Sequence, residues 1–98
     1  MKAFAWDEEK NELLKRGRGV SFEDVVYHIN KGDLLARLDH PNRAKYPHQQ
    51  VFVICIDAYV YTVPFVEDED KYFLKTIIPS RKLTRDYLGE RKGGYEAE

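Results

Sequence analysis

Between Gln50 and Ile78 the hydrophobic pattern fits three extended segments. Val51 to Ile56 is apolar at every position, so both of its faces need cover and it reads as a central strand. Tyr59 to Val66 follows across Asp57-Ala58, a gap that a tight turn can fill, although no glycine is present to mark a primed turn. Glu67-Asp68-Glu69-Asp70 are four adjacent carboxylates that cannot be buried together, so they form the solvated tip of the next hairpin. Tyr72 to Ile78 is the third segment. The result is an antiparallel meander whose last strand leads directly into Pro79-Ser80-Arg81-Lys82.

The remaining elements are arranged around this meander. Lys2 to Trp6 alternates with Phe4 and Trp6 on one face, as a short strand or extended lead-in. Asp7 is an N-cap with Glu8 and Glu9 in the first turn, opening a surface helix to about Arg16 that Gly17-Arg18-Gly19 ends; Leu13 and Leu14 are its residues to bury. A second helix carries stronger signals: Ser21 as N-cap, Asp24 at the capping-box position, and Val20 and Val25 spaced as a hydrophobic staple. Its stripe Phe22, Val25, Val26 and Ile29 packs on the sheet, and Gly32 supplies a left-handed stop. Leu34 to Asp39 is a flanking strand. His40 to His48, with Pro41 and Pro47, is a loop. Pro64 places its strand at a bulge or near an edge. Ser80 caps a third helix to about Leu88, Gly89 stops it, and residues 89–98 form a loose tail. The fold class is α+β: a mostly antiparallel sheet of four to five strands, two N-terminal helices on one face, and a short C-terminal helix, in one domain over residues 1–88.

Composition adds few constraints. With 98 residues, 43% hydrophobic and 34% charged, the chain is an ordinary globule rather than a disordered segment. Its single cysteine, Cys55, lies in the most apolar strand and reads as a buried thiol. No apolar run is long enough to span a bilayer and no secretory leader is apparent, so a cytoplasmic location is expected. The net charge of −1 conceals an uneven distribution. Between Lys75 and Lys92 six basic residues (75, 81, 82, 85, 91, 92) face two acidic ones (86, 90). A chain with one positive face steers anions by its local field rather than its total charge.

Candidate chemistry follows from that face. Asp39, His40 and His48 match no metal-ligand spacing, so no metal or other cofactor is expected. Ser21 and Ser80 are explained as helix caps, and neither sits on a nucleophile elbow, which removes conventional hydrolase chemistry. Cleavage of RNA demands less. Its own 2′-hydroxyl can attack the adjacent phosphate if cations stabilise the transition state and one group moves the proton. Arg81, Lys82 and Arg85 supply cations, and histidines, His28 and His48 foremost, have the suitable proton affinity. Lys15, Arg16, Arg43, Lys45 and Lys75 are further candidates for RNA contact. The competing reading is a protein- or nucleic-acid-binding module without catalysis.

Three segments carry a family resemblance: Phe4-Ala5-Trp6-Asp7-Glu8-Glu9-Lys10-Asn11, Gly19-Val20-Ser21-Phe22-Glu23-Asp24, and Ile77-Ile78-Pro79-Ser80-Arg81-Lys82-Leu83-Thr84-Arg85. In order and spacing they resemble the signature segments of BrnT-type toxins of the RelE-like ribonuclease superfamily, over about residues 2 to 88. The resemblance implies a helix-covered antiparallel sheet and metal-independent RNA cleavage that stops translation. It also implies neutralisation by a small DNA-binding antitoxin of ribbon-helix-helix type, with DNA contacted only through that partner. By position Arg81 matches the arginine of the Ser-Arg-Lys segment, and Lys15 or Arg16 occupies the basic place at the end of the first helix. No histidine stands there, which leaves the proton-transfer role open between His28 and His48.

Overall fold

A computed structural model describes residues 2–89. The order is β1 (Ala3–Ala5), α1 (Glu8–Arg18), α2 (Phe22–Lys31), β2 (Leu34–Asp39), β3 (Gln49–Ile56), β4 (Tyr59–Glu67), β5 (Lys71–Leu74), β6 (Ile78–Pro79) and α3 (Arg81–Thr84), which continues as a π-helical turn, Arg85–Gly89. The expected basic residues Arg91 and Lys92, and the tail beyond Gly89, lie outside the described residues.

The architecture is α+β with a mixed sheet in the order β1-β5-β4-β3-β2, β6 pairing separately with β4. Neighbours are antiparallel except β1, which runs parallel to β5. The sheet is thus one parallel pair and one short strand larger than the meander and its flank. The parallel pair joins segments far apart in the chain, with both helices and three strands between them, so no local turn signal announces it.

β3 is an interior strand between β2 and β4, and its alternation divides the sheet. Phe52, Ile54 and Ile56 face the helices with Val63, Phe65, Leu74 and Ile77, and with Leu14, Val20, Phe22 and Val25 from the helical layer. Val51 and Val53 point to the opposite face and are buried as well. The α2 stripe packs as its spacing demands: Phe22 and Val25 are fully buried, and Val26 and Ile29 rest against the core. Phe22 stacks on Trp6 with centroids 5.6 Å apart.

Helix α1 differs from its expected form. It runs through Gly17 to Arg18, and Gly19, at φ 69°, is the left-handed stop. Leu13 is 60% exposed, whereas the polar Asn11 is fully buried. Asn11 Nδ2 donates to Glu23 at 2.8 Å and its Oδ1 accepts from the Phe22 N–H at 2.8 Å. One side chain therefore satisfies an orphan donor of α2 and ties the two helices together. The bond to Asn11 also holds the Glu23 carboxyl below its ordinary range.

Two strands are irregular. β2 carries a bulge between Leu34 and Ala36. The expected strand from Tyr72 to Ile78 breaks after Leu74, and the chain rejoins β4 only at Ile78. Pro64 explains where the gap falls. Its carbonyl accepts the Lys75 N–H at 2.8 Å, so its missing N–H points to the same side, where β5 has ended and β6 has not begun.

From β2, on the same face of the sheet, Arg37 closes the core. Its guanidinium lies over Phe65 at 5.2 Å, Tyr72 at 5.6 Å and Phe52 at 6.0 Å. It donates to Gln50 at 2.7 and 3.1 Å and to Glu67 at 2.5 Å. Lys2 also reaches Glu67, at 2.5 Å. Glu67 is therefore not part of a free carboxylate tip but the shared counter-ion of two cations, because it is still on the strand face where Arg37 lies.

Truncating Phe22 to alanine should cost about 3–5 kcal/mol in a urea titration, since a fully packed aromatic is lost. Acid stability should depend on Glu67. Its hydrogen bonds from Lys2 and Arg37 depress its pKa from the ordinary 4.5. Such a group stabilises fully above its unfolded pKa, and the contribution disappears as pH falls through the folded one. Below pH 4.5 the urea midpoint of the parent chain should therefore fall more steeply than that of Glu67→Gln.

Candidate nucleic-acid interface

The last described segment is fixed to the start of β4. The Ser80 N–H donates to the Val60 carbonyl at 2.9 Å, and the Val60 N–H donates to Thr84 Oγ1 at 2.9 Å. Thr84 in turn donates to the Ser80 carbonyl at 2.7 Å, while Ser80 Oγ accepts from the Leu83 N–H at 3.1 Å. Ser80 is thus a helix cap as its sequence position indicates, and Thr84 satisfies the backbone of β4 that β6 leaves free. The helix is shorter than expected because its hydrogen bonding widens into the π-helical turn at Arg85.

Arg81 and Arg85, one turn apart, enter a cleft of about 430 Å³ together with Ala58, Tyr59, Thr84, Leu88 and Gly89. Neither arginine has a carboxylate partner among the described residues. Like charges at this spacing repel, so an anion between them would relieve the repulsion and meet two forks of donors. Ala58 forms one wall. It and Asp57 make the β3–β4 turn with φ of 63° and 53°, the left-handed pair of a primed hairpin without its usual glycine.

The other candidate residues do not converge on this cleft. Lys82 is paired with Asp86 at 2.9 Å, one turn along the helix. His28 Nδ1 bonds Asp33 at 2.7 Å and its ring packs against Tyr27; this bond holds the Asp33 carboxyl below its ordinary range. His48 precedes Gln49, which pairs with Val66. The cleft lies at Tyr59 and Val60, so about 20 Å of strand separates the two sites. Arg43 and Lys45 belong to that same distant loop, Arg43 being 3.7 Å from Asp39 and Lys45 lying over Tyr46. His40 accepts the Asn42 N–H and packs on Tyr46. Among the described residues no group of three His, Cys, Asp or Glu side chains is placed to hold a metal ion, and no helix is long and apolar enough to cross a membrane.

Lys75 lies over Phe73, opposite Pro64 and about 13 Å along β4 from Val60. On α1, Lys15 pairs with Glu12, which raises its pKa, and Arg16 shares a groove with Glu9, Glu12 and Leu13. The residue at the end of this helix that reaches the C-terminal segment is Arg18, which donates to the Ile77 carbonyl. Its position was readable: Asn11, Leu14 and Arg18 follow one another at i, i+3 and i+7, so a helix extended through Gly17 carries Arg18 on the same face as its two buried residues. Tyr59 was also unassigned from sequence, since strand alternation places it on a face but not beside an arginine. No family model, curated protein or solved structure matches the chain.

Replacing Ala58 by glycine should raise stability by roughly 1 kcal/mol, because the left-handed penalty of an L-residue disappears. Thermal melting checks this, and the cleft should retain its anion affinity.

Proposed function

We propose that this protein is the toxin of a type II toxin-antitoxin pair, a RelE-like, metal-independent endoribonuclease that acts in the cytoplasm and stops translation by cutting RNA. The observation that carries the reading is the pair Arg81 and Arg85, held rigidly at the sheet end without carboxylate partners among the described residues and open to a cleft. Two guanidinium forks at one site suit the non-bridging oxygens of a phosphodiester and the charge that builds on them during 2′-hydroxyl attack. The three segments that resemble BrnT-type toxins support the same reading. So does the placement of two helices on one face of the sheet. In the pair, a small ribbon-helix-helix antitoxin would cover the basic surface, contact DNA on behalf of the complex, and co-purify when expressed from the adjacent reading frame.

A second reading is favoured by a specific observation: among the described residues no histidine lines the cleft. With cations but no neutral-range proton acceptor, the site would bind RNA phosphate or an acidic partner without cutting.

Product analysis separates the two. Purified protein incubated with RNA and a chelator should yield 2′,3′-cyclic phosphate and 5′-hydroxyl ends. Arg81→Ala should keep the fold and lower turnover by about 10²-fold, the scale of one lost transition-state donor. Intact RNA, from a protein that still binds RNA with steep salt dependence, would establish the binding module instead.

A further inference from the structure

Tyr59 lies in the same cleft as Arg81 and Arg85. It opens β4, its backbone is fixed in register opposite Ile56, and its ring meets Tyr61 edge-on with centroids 5.6 Å apart and planes at 64°. Tyr61 is itself packed against the core, so Tyr59 is buttressed from behind. Leu88 contributes an apolar surface to the same cleft. The cleft therefore combines two cations that have no carboxylate partner among the described residues, one supported aromatic ring and one aliphatic side chain, with no carboxylate among its described lining residues. A phosphate alone needs only the arginines, which leaves the ring and Leu88 without a role in anion binding.

We infer that Tyr59 is a stacking platform for an unpaired nucleobase whose adjoining phosphate is held by Arg81 and Arg85, which makes single-stranded RNA the ligand class. This rests on the reading of Arg81 and Arg85 as the phosphate site. Every base has a face that an aromatic ring can stack on, so such a platform adds affinity without selecting sequence. It does select strandedness. In an A-form duplex the bases remain stacked inside the helix, and a side chain beside the phosphates cannot reach a base face. A splayed nucleotide can present its phosphate to the arginines and its base to Tyr59 together.

The test is fluorescence anisotropy at fixed low salt with three labelled probes of equal length: an unstructured oligouridine, an abasic ribose-phosphate oligomer, and one strand of a perfect RNA duplex. Non-cleavable 2′-O-methyl versions of all three keep any scission from entering the measurement. The parent chain should bind the oligouridine about tenfold more tightly than the abasic oligomer, the scale of one stacked base, and should bind the duplex no better than the abasic oligomer. Tyr59→Leu, which keeps bulk but removes the ring, should lower oligouridine affinity to the abasic level and leave abasic binding unchanged, while Tyr59→Trp should restore the difference. Arg81→Ala should weaken both probes. If the parent chain binds oligouridine and the abasic oligomer equally, the stacking assignment is overturned while the phosphate site stands; that comparison needs no variant to fold. Failure of the parent chain to bind any probe overturns both and points to an acidic protein partner for the cleft.

Discussion

A strand with six consecutive apolar residues can exist in water only if both of its faces are covered, and β3, apolar from Val51 to Ile56, imposes that condition on everything else in this chain. Phe52, Ile54 and Ile56 require the helical layer, and Val51 and Val53 require burial on the reverse face. The cost of leaving such a strand exposed is of the order of 1.5–3 kcal/mol per large side chain. A domain of this size, with few core residues to lose, has little margin for that. The hairpin to β4 gives β3 one neighbour cheaply, since the connecting turn is two residues long. Its other neighbour, β2, precedes it in the chain and is joined to it by the His40–His48 loop.

Polar groups complete the enclosure where hydrophobic ones end. Asn11 is fully buried yet makes hydrogen bonds with both Glu23 and the Phe22 backbone, so it fastens α1 to the entry of α2. Among the described residues, no buried side-chain nitrogen or oxygen is left without a partner, as a stable interior requires. Arg37 does the corresponding work at the opposite end of the core. Its flat guanidinium covers three aromatic rings while its edge bonds Gln50 and Glu67. Burial alone would lower the Arg37 pKa, but the hydrogen bond and charge of Glu67 outweigh it and the shift is upward. A lysine would offer neither the flat surface nor the fork.

These two ends also separate the chemistry. The end that Arg37 closes carries the His40–His48 loop, with its cations paired or resting on aromatics. The end with the Asp57-Ala58 turn carries Arg81, Arg85 and Tyr59. Among the described residues, Arg81 and Arg85 are two cations that the fold brings into one cleft without a carboxylate partner. Lys82 and Lys15 are each held by a carboxylate on their own helix, and Arg18 is committed to the Ile77 carbonyl. Among the described residues, the charges that line the cleft are those of Arg81 and Arg85, a smaller feature than a uniformly basic face.

What the sequence determined by itself is what short-range rules govern. The Ser21 and Ser80 caps, the Asp24 capping box, the Gly32 stop, the α2 stripe and the two-sided burial of Val51 to Ile56 depend on neighbours within a few residues, whose spacing the chain displays directly. The arginine pair on α3 was legible for the same reason, as one helical turn joins Arg81 to Arg85. The tertiary structure alone decided which distant residues meet. The parallel pairing of β1 with β5, the break of the last strand opposite Pro64, the capture of Glu67 by Lys2 and Arg37, and the separation of His48 from Arg81 along β4 all couple positions far apart in the chain. Alternation in a strand reports which face a residue occupies and nothing about which element lies across from it. Tyr59 was therefore visible as a strand residue and became part of a site only when α3 was bonded to the backbone of Val60.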